Sequence, residues 1–494
     1  MHVSVYKMDG ETYPEGSPFH PSQSYPEAIF SDKAESSNAV YAGVRELFLT
    51  HGLDADNFGQ QRWNPLGELI KPGDTVIVKP NLIKEKHPRD PDGWIYMMTH
   101  GSVIRAVCDY VVKALRGSGR IIVADAPQTD SSFSEICMTL GLNELREFYR
   151  SNNIDFELVD IRKYEWKSVD DVIVSRRVLP GDPKGYVKFD LGRHSMFYGH
   201  SGEGRYYGAD YDTGEINAHH HGEVHEYVIS GSAINADVFI NLPKLKTHKK
   251  TGVTLSLKNL VGINGDKNYL PHYTEGVPED GGDQFPEKTA ARSAETAGLK
   301  ALRKTALAIP VLGPWLYRFA KRLGGSYLGK SDEVIRSGNW FGNDTTWRMC
   351  VDLNRLLLHG NPDGTYREDD ATGRKRYLTL IDGVIGGDGN GPIDVDPRYS
   401  GVMILGNDPV AVDAVGATLM GLDPKKIPVV WHAFDDSPLK LTEESLDTIS
   451  VRSNRDDWNG PVTKLGNANN LGFRPHFGWR DKIEISDDEI VQQL

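Results

Sequence analysis

DTVIVKPN at residues 74–81 and GSVIRAVCDYVVKALRGSGRIIVADA at residues 101–126 decide the fold. Val76, Ile77 and Val78 form a short apolar, β-branched run, the signature of a buried strand. In the second stretch Val103, Ile104, Val107, Val111 and Leu115 share one helical face over 101–117, and RIIVADA at 120–126 reads as the next strand. SSFSEICMTLGLNELREFYR (131–150) continues as a helical stretch and IDFELVD (154–160) as a third strand. Strand, helix, strand, helix, strand implies a parallel sheet covered by helices.

The rhythm lapses between about 162 and 226, a region rich in Gly, Tyr, Asp and His that reads as loops and short strands laid over the sheet. ADVFINLPK (236–244), YLTLIDG (377–383) and GVMILGN (401–407) restore the strand signal. A punctuated helix follows the last of these, with Asp408 as N-cap, Pro409 at the first helical position, and Gly421 and Pro424 as stops. The expected fold class is α/β, a mostly parallel sheet with helices on both faces, elaborated by insertions. Residues 1–285 and 346–494 form one composite domain, 162–226 an irregular β/loop insertion, and 286–345 a basic helical insertion.

With 494 residues and a formal net charge of -13, the chain has the balance of a soluble globular protein and lacks the broad basic footprint of a nucleic-acid binder. Cys108, Cys137 and Cys350 lie too far apart in sequence for a disulfide framework or a CxxC-type site, so a reducing compartment is expected. The first residues lack the pattern of a secretory signal, and the apolar stretch at 305–317 is shorter than the roughly 20 residues of a spanning helix. A cytoplasmic protein is the expectation. Residues 288–330 nevertheless carry nine basic residues against the single acid Glu295. They read either as an amphipathic hairpin on an anionic membrane surface or as a helical insertion with a solvated basic face.

Ligands of open parallel sheets bind at the carboxyl ends of the strands. Lys79, Asn81, Asp125, Asn241, Lys244, Asp382, Asn407 and Asp408 follow the strand signals in turn. NLPKLKTHKKTGVTLSLKNLVGINGDKNYLPH (241–272) adds six lysines and two histidines with Asp266 as its one acid. It reads as a strand exit, a loop over LKTHKKTG, a helix over VTLSLKNLVG with Lys258 and Asn259 near its amino end, and a glycine-rich turn that returns His272 to the site. Lys79, Asn81, Lys244, Lys246 and Asn259 are expected to bind a small anion, carboxylate or phosphate. His248, Lys258 and His272 are the catalytic candidates. Lys249 and Lys250 read as solvated. Asp382, Asp388, Asp408 and Asp125 are oxygen donors suited to a divalent metal, although capping helices and pairing with lysines would equally occupy them. HHH at 219–221 with His225 reads as an exposed loop, and GGDGNGP (386–392) lacks the order of a phosphate loop.

VIVKPNLI, INLPKLKTHKKTGVTLSLKNLVGI, LIDGVIGGDGNGP and GVMILGNDPVAVDAVGATLMGLDP, in that order, resemble the DUF362 family, named for its lack of an assigned function. Some members carry ferredoxin-like cysteine motifs; this sequence has none, so no iron–sulfur cluster is expected. A more distant resemblance is to the amino-terminal domain of nickel-pincer lactate racemase. It implies a cofactor-attaching lysine at Lys258 and a nickel-ligating histidine at His272, with His248 ten positions before the lysine, although TLSLK replaces the double glycine that precedes that lysine. Three readings follow: an enzyme acting on a small anionic substrate, aided by a divalent metal or not; a non-catalytic membrane-surface module in an envelope-polysaccharide pathway, docking through 288–330; and an epimerase or racemase with a nickel-type cofactor.

Overall fold

The computed structural model describes residues 1–10, 12–169, 172–209, 213–308, 334–367, 374–465 and 469–485. Its centre is an 11-stranded sheet. The strands that matter here are β1 (His2–Lys7), β2 (Thr75–Pro80), β3 (Arg120–Asp125), β4 (Phe156–Asp160), β5 (Val238–Leu242), β6 (Lys244–His248), β7 (Arg376–Asn390), β8 (Asp394–Gly406) and β9 (Ser450–Ser453). Their order across the sheet is β9, β1, β8, β7, β5, β2, β3, β4. β7, β5, β2, β3 and β4 run parallel, whereas β8 returns antiparallel beside β7.

Successive strand residues point to opposite faces, so an uninterrupted apolar run fills two cores at once. Val76, Val78, Val123 and Ile240 belong to one core, with α1 (Ala39–His51) and α2 (Gly101–Leu115) packed over it. Ile77, Ile122 and Phe239 belong to the other, under α3 (Leu255–Asn259), α4 (Thr346–His359) and α5 (Pro409–Met420). The expected α/β sandwich, helices on both faces of a mostly parallel sheet, is therefore the one observed.

Several local expectations need correction. The helical stretch at 131–150 is two helices, Phe133–Thr139 and Leu142–Ser151, because Gly141 turns the chain with φ +67°. Much of the loop expected over LKTHKKTG is strand β6, and the glycines of GGDGNGP lie in or just beyond β7. A Cβ on Gly386 would sit 2.9 Å from the Leu245 carbonyl oxygen, and one on Gly391 1.9 Å from that of Thr247, so these glycines permit close approach of β6 and serve no phosphate loop.

The 162–226 region holds a hairpin of Tyr164–Val169 with Val172–Val178, and a three-stranded sheet of Tyr186–Asp190, Val224–Ser230 and His220–His221. His220 and His225 are buried there, contrary to the exposed loop expected. His220 packs edge-on or tilted against Phe197, Tyr206 and Tyr227 and its Nε2 bonds the Tyr269 carbonyl at 2.9 Å, so the aromatic packing of the insertion accounts for it. In the basic segment a helix spans Ala290–Ala308, with Lys288 paired to Asp280 and Lys300 to Glu275. Arg318, Lys321, Arg322 and Lys330 lie outside the described residues. Among the described residues no helix is long and apolar enough to cross a membrane.

Candidate functional site

β5 ends at Leu242, Pro243 interrupts it, and the chain resumes as β6, which pairs farther along β7 with Lys244 opposite Asp382 and Lys246 opposite Gly387. β7 therefore overshoots the ends of β2, β3 and β5 and, with β6, raises a wall beside their carboxyl edge. A cavity of about 400 Å³ occupies the notch. Lys79 and Asn81 reach it from β2 and its exit, Asp125 from the end of β3, and Lys246 and His248 from β6. Lys258 and Asn259 of α3, then Lys267 and His272 from the following turns, add to the polar lining, and Trp166 and Ile173 of the hairpin also line the cavity.

A buried polar network fixes the floor. Lys79 Nζ donates to Asp125 Oδ1 at 2.7 Å and to Asn259 Oδ1 at 3.3 Å, while Asp125 Oδ2 accepts the Leu82 amide at 2.9 Å. Asn259 also accepts from Asn81 Nδ2 at 3.0 Å and donates to Asn241 Oδ1 at 2.7 Å. Burial lowers the Lys79 pKa against the opposing pull of Asp125. Gly262 closes over this pair: a Cβ there would stand 2.0 Å from Asp125 Oδ1 and 2.7 Å from Lys79 Nζ. Only glycine allows the backbone after α3 to pass so near.

The other lysines are held differently. Lys246 is fully buried and donates to the Met97 carbonyl at 2.6 Å, with no carboxylate in ion-pair range among the described residues. Burial and the charges of Lys244 and Lys258 hold its pKa well below the ordinary lysine value. Lys267 donates to the carbonyls of Ala126 (3.0 Å) and Val261 (3.3 Å), and burial pushes it down to about 7. Lys250, expected to be solvated, is half-buried. The turn after His272 folds over it, so that it donates to the carbonyls of His272 and Ser337 and lies 5.0 Å from the Tyr273 ring centre. Burial pushes it, too, down to about 7. Lys249 also lines the cavity. Lys258 Nζ has no hydrogen-bond or ion-pair partner among the described residues, and burial lowers its pKa.

The two histidines present opposite polarity. His248 Nδ1 accepts the Lys250 amide at 3.1 Å, which leaves the proton of the neutral ring on Nε2. His272 Nδ1 donates to the Leu270 carbonyl at 2.7 Å, which leaves a lone pair on Nε2. Burial and neighbouring lysines keep both rings neutral near pH 7, His248 well below its ordinary value and His272 at about 3.

Lys79, Asn81, Asp125 and Lys246 thus meet His248, Lys258, Asn259 and His272 in one cavity, while four expected residues lie elsewhere. Lys244 stays inside the sheet, where β6 pairing holds it 3.1 Å from Asp382 and 2.6 Å from the Tyr13 hydroxyl. Asp382 accepts in addition from Tyr13 and the His100 amide. Asp388 is taken by Arg474 at 2.8 Å. Asp408 caps α5, accepting from Val410 and Ala411, and the antiparallel course of β8 puts it at the opposite edge of the sheet. The metal expectation took every strand to end at one edge; instead the four carboxylates are dispersed, and among the described residues no group of three or more His, Cys, Asp or Glu is placed to hold a metal.

The amino end of α3 is likewise filled from within the protein. Asp413 of α5 accepts the Ser256 and Leu257 amides at 2.7 and 2.9 Å. Asp413, Tyr13 and Trp166 went unrecognised because only the tertiary fold brings them to these contacts. Lys267 lay in plain view within the cationic segment.

A family model described as "Domain of unknown function (DUF362)" matches residues 76–182 and 205–418. A curated relative, a thylakoid-associated protein of Synechocystis sp., is 23% identical over 365 residues, covering 74% of this chain and 68% of that protein. The matched blocks include β2, β3, β5, β6, α3 and β7, the elements that build the pocket, and the chain belongs to the DUF362 family.

Proposed function

We propose that the chain is an enzyme that binds a small organic anion, carboxylate or phosphate, in the lysine-rich cavity. The observation that carries this reading is the charge of the lining: Lys79, Lys246, Lys249, Lys250, Lys258 and Lys267 against Asp125 and Asp130. Asp125 pairs with Lys79 and Asp130 with Lys84, so lysines outnumber carboxylates in the lining. Lysines act as compact point charges and suit either anion.

In this reading His272 Nε2 accepts a proton from the bound substrate and His248 Nε2–H donates one, a division set by their backbone partners. Lys258, the free amine, meets the reacting group. A divalent ion brought with the substrate would find Asp125 as its protein carboxylate. Calorimetric titration with metabolites from a binding screen tests the assignment. Wild type should bind at least one anion at least tenfold more tightly than Lys258→Ala and His248→Ala; equal binding by all three would sink it.

Two further readings have support of their own. The relative's thylakoid association and the basic helix Ala290–Ala308 favour peripheral docking on an anionic membrane. Deletion of 288–330 should then abolish pelleting with anionic liposomes, and unchanged pelleting excludes docking through this segment. The meeting of Lys258 with His248 and His272 favours an epimerase with a nickel-type cofactor, which elemental analysis of the purified protein tests.

A further inference from the structure

The lysines of the pocket differ in what holds their hydrogens. Lys79 gives its own to Asp125, Asn259 and the Pro80 carbonyl, Lys246 to Met97, Lys250 to Ser337 and His272, and Lys267 to Ala126 and Val261. Lys258 Nζ has no acceptor among the described residues, yet it occupies the electrostatic centre: its charge bears on Lys79, Lys246, His248, Lys250, Lys267 and His272. One primary amine with no acceptor among the described residues is therefore ringed by anchored lysines. Burial favours the neutral amine against the opposing pull of Cys350 and Asp125, and the neutral amine is the form in which lysine is a nucleophile toward carbonyl carbon. The far wall has another character, with Ile83, Pro127, Trp166 and Ile173 offering apolar surface.

Building on the anion-pocket reading, we infer that Lys258 forms a Schiff base with an oxo-acid whose carboxylate lies among the anchored lysines and whose apolar or aromatic remainder lies against Trp166 and Ile173. The neutral Nζ attacks the carbonyl carbon; the C–N bond forms as the carbon–oxygen π pair moves to oxygen. His272 Nε2 relays a proton from nitrogen to that oxygen, giving the carbinolamine. A further proton from solvent converts its hydroxyl to water, which leaves as the nitrogen lone pair forms the C=N bond. The products are a protonated imine and one water, and no oxidant or reductant takes part. The anchored ammonium groups hold the carboxylate without competing for the carbonyl, and Lys258 is free to move because no described residue accepts its hydrogens.

The test is reductive trapping on the full chain. Protein incubated with pyruvate or phenylpyruvate and sodium cyanoborohydride is measured by intact mass and peptide mapping, alongside calorimetry with malonate and phosphate, which lack a reactive carbonyl. One adduct per chain, mapped to Lys258, greater with phenylpyruvate and suppressed by excess malonate, is expected. Lys258→Arg, checked for folding by thermal melting, should give none; since mapping of wild-type protein already locates the adduct, the test does not depend on the variant. No adduct, or an adduct spread over surface lysines, while malonate or phosphate still binds, overturns the Schiff base and leaves the anion pocket standing. If neither anion binds and no adduct forms, both readings fall.

Discussion

Lys79 Nζ lies 2.7 Å from Asp125 Oδ1, with both side chains buried at the ends of neighbouring parallel strands. Such a pair adds little net stability over an apolar pair of like volume, but removing one partner leaves an uncompensated buried charge. Asp125→Ala should therefore destabilise the fold by about 3–5 kcal/mol in urea melts. The double variant Lys79→Met/Asp125→Leu should recover much of that loss while still failing to bind the anion. Single and double variants of equal stability would mean that the pair is not coupled.

Gly262 tests the same pair from the backbone side. A methyl at this position must displace Asp125 Oδ1, which it would approach to 2.0 Å, or push back the turn after α3. Gly262→Ala should cost about 1–3 kcal/mol, the range for overpacking, and weaken anion binding, because the turn links α3 to Lys267 and His272. Thermal melting with titration of the bound anion measures both, and a variant with wild-type behaviour in each would remove the close approach from the argument.

Burial brings Lys250 and Lys267 down to about 7, which makes binding sensitive to pH. Each is charged below that value and loses its proton above it. A bound anion stabilises the charged form, so the complex takes up protons near pH 7.5, and affinity falls as pH rises from about 6 to 8. Calorimetry at pH 7.5 in buffers of different ionisation enthalpy should show net proton uptake on binding. Proton release, or affinity independent of pH over this range, would contradict it.

The sequence carried the parallel sheet because Val76 to Val78 and Ile121 to Val123 are apolar on both faces, a pattern that short-range reading detects. The two histidines, Lys246, Lys258 and Asn259 were legible because a single segment supplies them. Asp408 was misplaced because the direction of β8 depends on pairing with β7, and an apolar run such as GVMILG carries no information about direction. Lys244 was misassigned for a related reason: once residues 244–248 are strand, register places it opposite Asp382 inside the sheet. The hydroxyl of Tyr13, 369 residues from Asp382 in sequence, could not be assigned to that aspartate by any local signal.

Asp413 joins the fold of α5 to the geometry of the site. Its carboxylate caps the five-residue helix that carries Lys258, and burial raises its pKa from 3.8 to about 7. Asp413→Ala leaves the Ser256 and Leu257 amides buried without an acceptor, which should cost about 1–3 kcal/mol and loosen Lys258, so that anion affinity falls together with stability. Asp413→Asn keeps one acceptor oxygen and should lose less. The folded pKa lies above the unfolded value, so the native state holds the extra proton between about pH 4 and 7. The stability this group contributes is complete below about pH 4 and is lost as pH rises through 7. Urea melts of wild type between pH 5 and 7.5 should accordingly show a decline in unfolding free energy that Asp413→Asn lacks, once changes common to both proteins are subtracted. Parallel curves for the two would show that the Asp413 carboxyl titrates as it does in the unfolded chain, and that the cap is made by an ordinary carboxylate.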